Sequence, residues 1–295
     1  MVGSFSFTVN HQPRKSNLYN IRYGFYGSTS HYAPNASYYK FNPVLSYTFR
    51  DKDLRNNKFS GLTFRHILVG REKTDFVSAV KTTTDNEDYS IFDARYYNFT
   101  NELTKRFSYS NNIQLSDKFG KLVASMEYRK LFDNNQQLNL RFYAGAFLYR
   151  KTTTDFFSFA LDRPTDYLFD FDYIGRSEQS GFFSQQLIIA EAGFKTKVAN
   201  SYANQWITAI NASTNIWNWV EVYGDAALFK NENSNPKFLF DSGLRLNLVP
   251  DYFELYMPIY SSNGWDVSKN YGQKIRFVVT ISTNTLISLF TRKWF

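Results

Sequence analysis

The 295-residue chain contains no cysteine, which removes disulfide frameworks, thiolate metal sites and cysteine nucleophiles together. It has 7 prolines and no Pro-rich linker. No apolar run approaches the roughly 20 residues of a membrane helix, and mean hydropathy is −0.43, so a helical membrane protein is excluded. Histidine is scarce as well. His11, His31 and His66 lie far apart, and none sits in H-E-x-x-H or another metal-ligand spacing. No G-x-S-x-G elbow, Walker loop or G-x-G-x-x-G is present. The net charge of +8 is scattered and interleaved with acids, which argues against nucleic acid as a partner. Met1-Val-Gly-Ser-Phe-Ser-Phe-Thr-Val starts directly in a β pattern, without a basic n-region or apolar h-region. The expectation is that a signal has been removed, or that this is the C-terminal part of a longer protein.

What the chain does have is aromatic side chains, 19% of all residues, together with much Asn, Ser and Thr. That abundance of Phe and Tyr excludes disorder and suits strands with one apolar and one polar face. Alternation with period two recurs almost end to end. Leu138, Leu140, Phe142, Ala144, Ala146 and Leu148 share one face, and Asn139, Arg141, Tyr143 and Gly145 the other. The same division recurs in 220–228, 238–247 and 275–281. Weaker copies lie at 3–9, 18–28, 43–50, 58–70, 89–99, 106–116, 121–131, 183–196, 203–213 and 252–261. About fourteen strands result, and many have the roughly 9–11 residues that cross a bilayer at a tilt. Short turn clusters such as Asp133-Asn134-Asn135 separate them, and no domain boundary appears. The connections at 71–88, 150–182 and 261–273 are longer.

A soluble sandwich alternates too, so the polar face has to decide. Here it mixes charge signs at strand centres, and Arg129, Arg141, Glu221, Asp225, Asp241, Arg245 and Arg276 are the candidate lumen charges. In a closed barrel such groups neutralise one another across the lumen while the apolar face meets lipid. Tyr19, Tyr47, Tyr149, Trp217, Trp219, Tyr252 and Tyr260 near strand ends fit the membrane interface. The reading is an all-β, antiparallel outer-membrane β-barrel of about 14 strands (12–16), a single domain in the outer membrane of a Gram-negative bacterium. In residues 283–295, the spacing of Leu286, Leu289, Phe290, Lys293 and Trp294 fits a short interfacial helix. A final strand ending in Phe295 is the alternative.

The most distinctive run is Asp162-Arg-Pro-Thr-Asp166-Tyr-Leu-Phe-Asp170-Phe-Asp172, followed by Arg176. A Ca²⁺ site or an acid pair would need oxygen-rich convergence, but the EF-hand order is not met. Asp162, Arg163, Asp166, Asp170, Asp172 and Arg176 therefore read as a loop that docks a partner or plugs the lumen.

Phe253-Glu-Leu-Tyr-Met-Pro-Ile-Tyr-Ser-Ser-Asn-Gly-Trp265, Lys274-Ile-Arg-Phe-Val-Val-Thr280 and Leu289-Phe-Thr-Arg-Lys-Trp-Phe295 resemble the tail of large Bacteroidota zinc aminopeptidases of the gluzincin type. Glu127-Tyr-Arg-Lys-Leu-Phe132, Phe156 to Phe169 and Gly175 to Gly181 resemble the same region. The resemblance implies a non-catalytic anchor for an upstream peptidase domain that would carry the zinc. The H-E-x-x-H motif is not in this chain, so no catalytic residue or cofactor carries over. Three alternatives remain: a free-standing porin or transporter, a protein-assembly barrel, and a soluble carbohydrate-binding β-sandwich.

Overall fold

The computed structural model describes residues 3–14, 17–33, 36–49, 51, 57–73, 86–171, 181–198, 200–249, 253–268 and 270–279. Sixteen strands occur among them. The first eight are β1 (Gly3–His11), β2 (Leu18–Ala33), β3 (Ala36–Phe49), β4 (Lys58–Glu72), β5 (Asn86–Asn101), β6 (Lys105–Leu115), β7 (Phe119–Leu131) and β8 (Gln137–Arg150). After the two-residue β9 (Phe159–Ala160) and β10 (Tyr202–Ala203) come β11 (Trp206–Trp217), β12 (Val220–Lys230), β13 (Lys237–Val249) and β14 (Phe253–Ser261). The last two are β15 (Gly264–Trp265) and β16 (Arg276–Val279). Fourteen of them form one antiparallel sheet in chain order, with β16 beside β14, and β9 pairs with β10 apart from it.

The protein is thus all-β with one large fourteen-stranded antiparallel sheet. It is not closed. Among the described residues β1 pairs with β2 alone, and no ladder joins it to β16. The strand expected at 183–196 is also absent. Residues Phe182–Gln185 form a 3₁₀ turn, and the chain beyond them lies against the sheet. The short β15 supplies the fourteenth strand instead. The expected tail at 283–295, Tyr252, Asp172 and Arg176 lie outside the described residues. No helix among the described residues is long and apolar enough to cross a membrane.

The register assigns every strand residue to a face. Ile210 faces Phe142 on β8 and Ala226 on β12, and Ala226 in turn faces Phe240 on β13. The outward positions of β8, β11 and β13 hold no charged residue, and those of β12 none before Lys230 at its end. These side chains are not covered: Ile210 is 52% exposed and Phe238 is 62%. The inward positions carry the charges, yet they are the buried ones, with Asp225 at 3% and Asp241 at 1%. A soluble fold places its apolar face inside. This sheet does the reverse.

The sheet also curls. One cavity of about 370 Å³ is lined by residues from β6, β7, β8, β11, β12, β13, β14 and β16. Laid flat, eight adjacent strands would span about 34 Å, so they must wrap to share so small a space. The connections sort by end. Those at 12–17, 50–57, 102–104, 132–136, 218–219 and 250–252 are all short, while the opposite end carries the long 73–85, 151–205 and 262–275 together with the short 34–35, 116–118 and 231–236.

Candidate functional site

The long connection between β8 and β11 folds back onto the concave face. Its described residues within 155–171 and 181–203 form a cork on the long-loop side, and it is aromatic where it meets the wall. Phe156, Phe157, Tyr167 and Phe169 pack with Ile67 and Val69 of β4, Tyr89 and Ile91 of β5, and Phe119 of β7. Phe159, Leu161, Ala192 and Phe194 pack with Tyr143, Ile207, Ala209, Ala227 and Phe229. Inward positions near the long-loop ends of the strands are apolar, so the cork finds a hydrophobic collar there.

Polar contacts fix it at intervals. Lys121 of β7 is fully buried, with Nζ 4.4 Å from the Tyr167 ring centroid and 4.6 Å from that of Phe159. It donates to the Tyr167 hydroxyl at 3.1 Å, and that hydroxyl donates to Gln114 Oε1 at 2.6 Å. Asp93, 1% exposed, accepts from Arg65 Nε at 2.9 Å, Asn112 at 2.6 Å and Gln114 at 3.0 Å. Cation–π contact and a full set of donors make these buried charges tolerable.

The candidate docking residues take different roles. Asp166 closes a turn, with its carboxylate accepting from the Asp170 N–H at 2.9 Å and the Phe171 N–H at 3.4 Å. Its φ of 52° is left-handed, a conformation that Asp tolerates better than most residues. Asp170 does dock on the wall, pairing with Lys40 of β3 and with Arg65 Nη1 of β4 at 2.8 Å. Burial pushes its carboxyl up, but Arg65 and Lys40 outweigh this and hold it below the usual range. Asp162 faces inward along the cork and accepts from the Val198 N–H at 3.0 Å. Burial pushes its carboxyl up, and the Val198 N–H and Arg163 only partly offset that. Arg163 is exposed and lines a small polar cleft with Asp162 and Arg276.

All seven candidate lumen charges sit on the concave face. Asp225 and Asp241 stand directly opposite each other on β12 and β13, a like-charge pair that would repel if left alone. The cork resolves it. Lys195 Nζ reaches Asp225 Oδ2 at 2.7 Å, and Asp241 Oδ2 accepts from the N–H groups of Lys195 and Thr196 and from the Thr196 hydroxyl at 2.8–2.9 Å. Below them Arg245 links Glu221, at 2.9 Å, to Glu254, whose other oxygen accepts from the Tyr256 hydroxyl at 2.7 Å. Arg141 donates to Asn211 at 2.8 Å, Arg129 lines the cavity beside it, and Arg276 is buried. The sequence reading passed over Lys195, Thr196 and Lys121. Two inward acids in adjacent strands were the available signal that a cation had to come from elsewhere.

Among the described residues no group of three or more His, Asp or Glu side chains could hold a metal ion. Compared with models of protein families the chain matches none, and no curated protein is significantly similar to it.

Proposed function

We propose that the chain is an outer-membrane β-barrel domain, corked from its long-loop side and non-catalytic in itself, that anchors a larger metallopeptidase-like protein. The observation that carries the membrane reading is the inverted polarity of the sheet. On β8, β11 and β13, and on β12 up to Lys230, uncharged side chains, many of them exposed, run along the outward face, and the charges line a covered concave face, as a wall between lipid and a filled lumen requires. All three long connections leave from one end of the sheet, which suits the same architecture. Tyr19, Trp217 and Trp219 are exposed at the short-turn end, and Tyr149 and Tyr260 at the other, as two interfacial belts would be. A soluble carbohydrate-binding sandwich would have to leave the outward face in water, at a cost no compensating contact offsets.

Closure needs one more element. From β1 to β16, omitting β15, the pairing passes through twelve antiparallel steps, so the two outer strands run in the same direction. An antiparallel seam therefore takes a further strand between them, and a seam is needed because an open edge is not tolerated in lipid. The anchor role rests on the sequence resemblance to the tail of gluzincin-type aminopeptidases; zinc chemistry would belong to the upstream domain.

Two measurements test the reading. Refolded chain should insert into liposomes, resist alkaline extraction and migrate faster on a gel before heating than after. A chain that stays soluble without detergent sinks the barrel. An immunoblot of source-cell membranes should give a band several times larger than the 34.6 kDa of this chain. A band near that mass would favour a free-standing pore or transporter and end the anchor reading.

A further inference from the structure

Followed through the register, the outward face of β4 to β8 and β11 to β13 carries lysine, arginine, aspartate or glutamate only at its two ends. Glu72, Asp88 and Lys230 stand at the long-loop end, and Lys58, Lys105 and Lys130 at the short-turn end. Lys105 and Lys130 are directly opposite each other in the β6–β7 ladder, about 5 Å apart at Cβ, where like charges destabilise a sheet. Lys58 is two strands away, about 10 Å across the sheet. Among the described residues none of the three makes a salt bridge. Lys130 lies over the Phe132 ring at 4.6 Å, and the nearby acids Glu102 and Asp133 are exposed in their connections. Toward the middle of the same face the next rungs are aromatic. Phe107 is opposite Tyr128, and the rings of Phe107 and Tyr96 lie 6.0 and 5.9 Å from that of Tyr109. Beyond them Ile113 faces Leu122 and Ala94. Ammoniums first, aromatic rings next and aliphatic groups last is the order in which a bilayer presents its phosphates, its interface and its hydrocarbon.

We propose that this rim binds the headgroup of an anionic glycerophospholipid, its phosphate bridging Lys105 and Lys130 with Lys58 flanking them. The inference rests on the membrane reading and adds to it a lipid preference at one defined place. A phosphate between two facing ammoniums relieves their repulsion. The lysine stems can lie along the apolar wall while their heads stay at the interface. Lysine suits this ligand, because an ammonium on a flexible stem takes a phosphate as a point charge from several directions. The acyl chains would then run past Phe107, Tyr109 and Ile113 toward the bilayer centre. The opposite rim has no such pair: Lys230 faces Trp206 there, and Glu72 and Asp88 would repel an anionic headgroup.

The test is native mass spectrometry of the full chain released from micelles of an uncharged detergent holding equal amounts of phosphatidylglycerol and phosphatidylcholine. Phosphatidylglycerol should be retained over phosphatidylcholine by about fivefold or more, the factor that one lysine near an anionic headgroup supplies. Lys105→Gln combined with Lys130→Gln should bring the ratio close to one. Lys58→Gln should lower it partway, and Lys230→Gln, at the other rim, should leave it unchanged. Equal retention of both lipids by the parent overturns the proposal, as does a preference that survives in the double variant. Displacement of the bound lipid by an equal concentration of inorganic phosphate would assign the lysines to a soluble anion and overturn it too. Insertion into phosphatidylcholine liposomes, read by the heat-dependent gel shift, separates the two readings. A chain that inserts without a lipid preference refutes the headgroup site alone, whereas a chain that does not insert ends both. The same gel shift shows that each variant has folded.

Discussion

Replacing Lys195 by Met puts the cork's attachment to a direct test. The ammonium lies 2.7 and 2.9 Å from the two oxygens of Asp225, and all three side chains of the Lys195–Asp225–Asp241 group are buried. Met keeps most of the volume and removes the charge, leaving two facing carboxylates without their counter-ion. Breaking one partner from a buried pair costs about 3–5 kcal/mol. The cost falls on the docked state, because an undocked cork returns the acids to water. Since the chain has no cysteine, a single Ala192→Cys, fully buried beside Phe194, makes a clean reporter of opening through its reaction with maleimide. If opening is a rapid pre-equilibrium, Lys195→Met should speed labelling roughly 10²–10³-fold. Adding Asp225→Asn should recover much of the loss, because Asn211 and the cork can still hydrogen-bond the amide. Labelling that stays within about threefold of the parent would refute the reasoning. A double variant as fast as the single one would do so as well.

Phe142 is 41% exposed at the middle of the outward face of β8, so Phe142→Arg should cost about 2–4 kcal/mol in a bilayer and block insertion, read from the heat-dependent gel shift. Asp170 has a folded pKa held below its unfolded value, so its contribution is present above the ordinary carboxylate range and is lost as pH falls through the lowered folded value. A thiol at buried Ser158 should become more reactive below that point, and Asp170→Asn should flatten the pH profile. Gly145 lies under the Phe159 ring, where an added Cβ would come within 2.6 Å of a ring carbon. Gly145→Val should therefore lower the thermal midpoint, at a cost of about 1–3 kcal/mol, and Phe159→Leu in the same chain should restore part of it.

Period-two alternation was legible because the outward positions of β8 and β11–β13 are mostly apolar and the inward ones are polar at mid-strand. It was strong enough in 138–148, 220–228 and 238–247 to assign Arg141, Glu221, Asp225, Asp241 and Arg245 to one side. It misled at 183–196, where the apolar run Leu187–Ala190 between Gln186 and Glu191 reads as part of a strand yet the chain runs as cork. An apolar–polar rhythm marks any segment squeezed between a wall and solvent, and only backbone pairing makes it a strand. In the acid-rich run at 162–172, which acid meets which wall residue was not legible. Asp170 reaches Arg65 across 105 residues of sequence, a contact set by the curl of the sheet and by no local pattern. Lys195 stayed hidden for the same reason.

The cork's position in the chain dictates an order of assembly. Its residues leave the sheet after β8 and return at β11, so eight strands precede it and the rest follow. It touches both halves: Asp170 holds β3 and β4, while Lys195 and Thr196 hold β12 and β13. It packs in two apolar clusters, one against β4, β5 and β7 and the other against β8, β11 and β12. If the sheet closes as proposed, it must wrap around a cork already in place. Pairing β8 with β11 spans a long stretch of sequence, and such distant contacts are slow to form. Until they do, the outward apolar face and the unmatched acids of β12 and β13 are exposed together. On that reading the slow step of assembly is the return of the cork to the sheet.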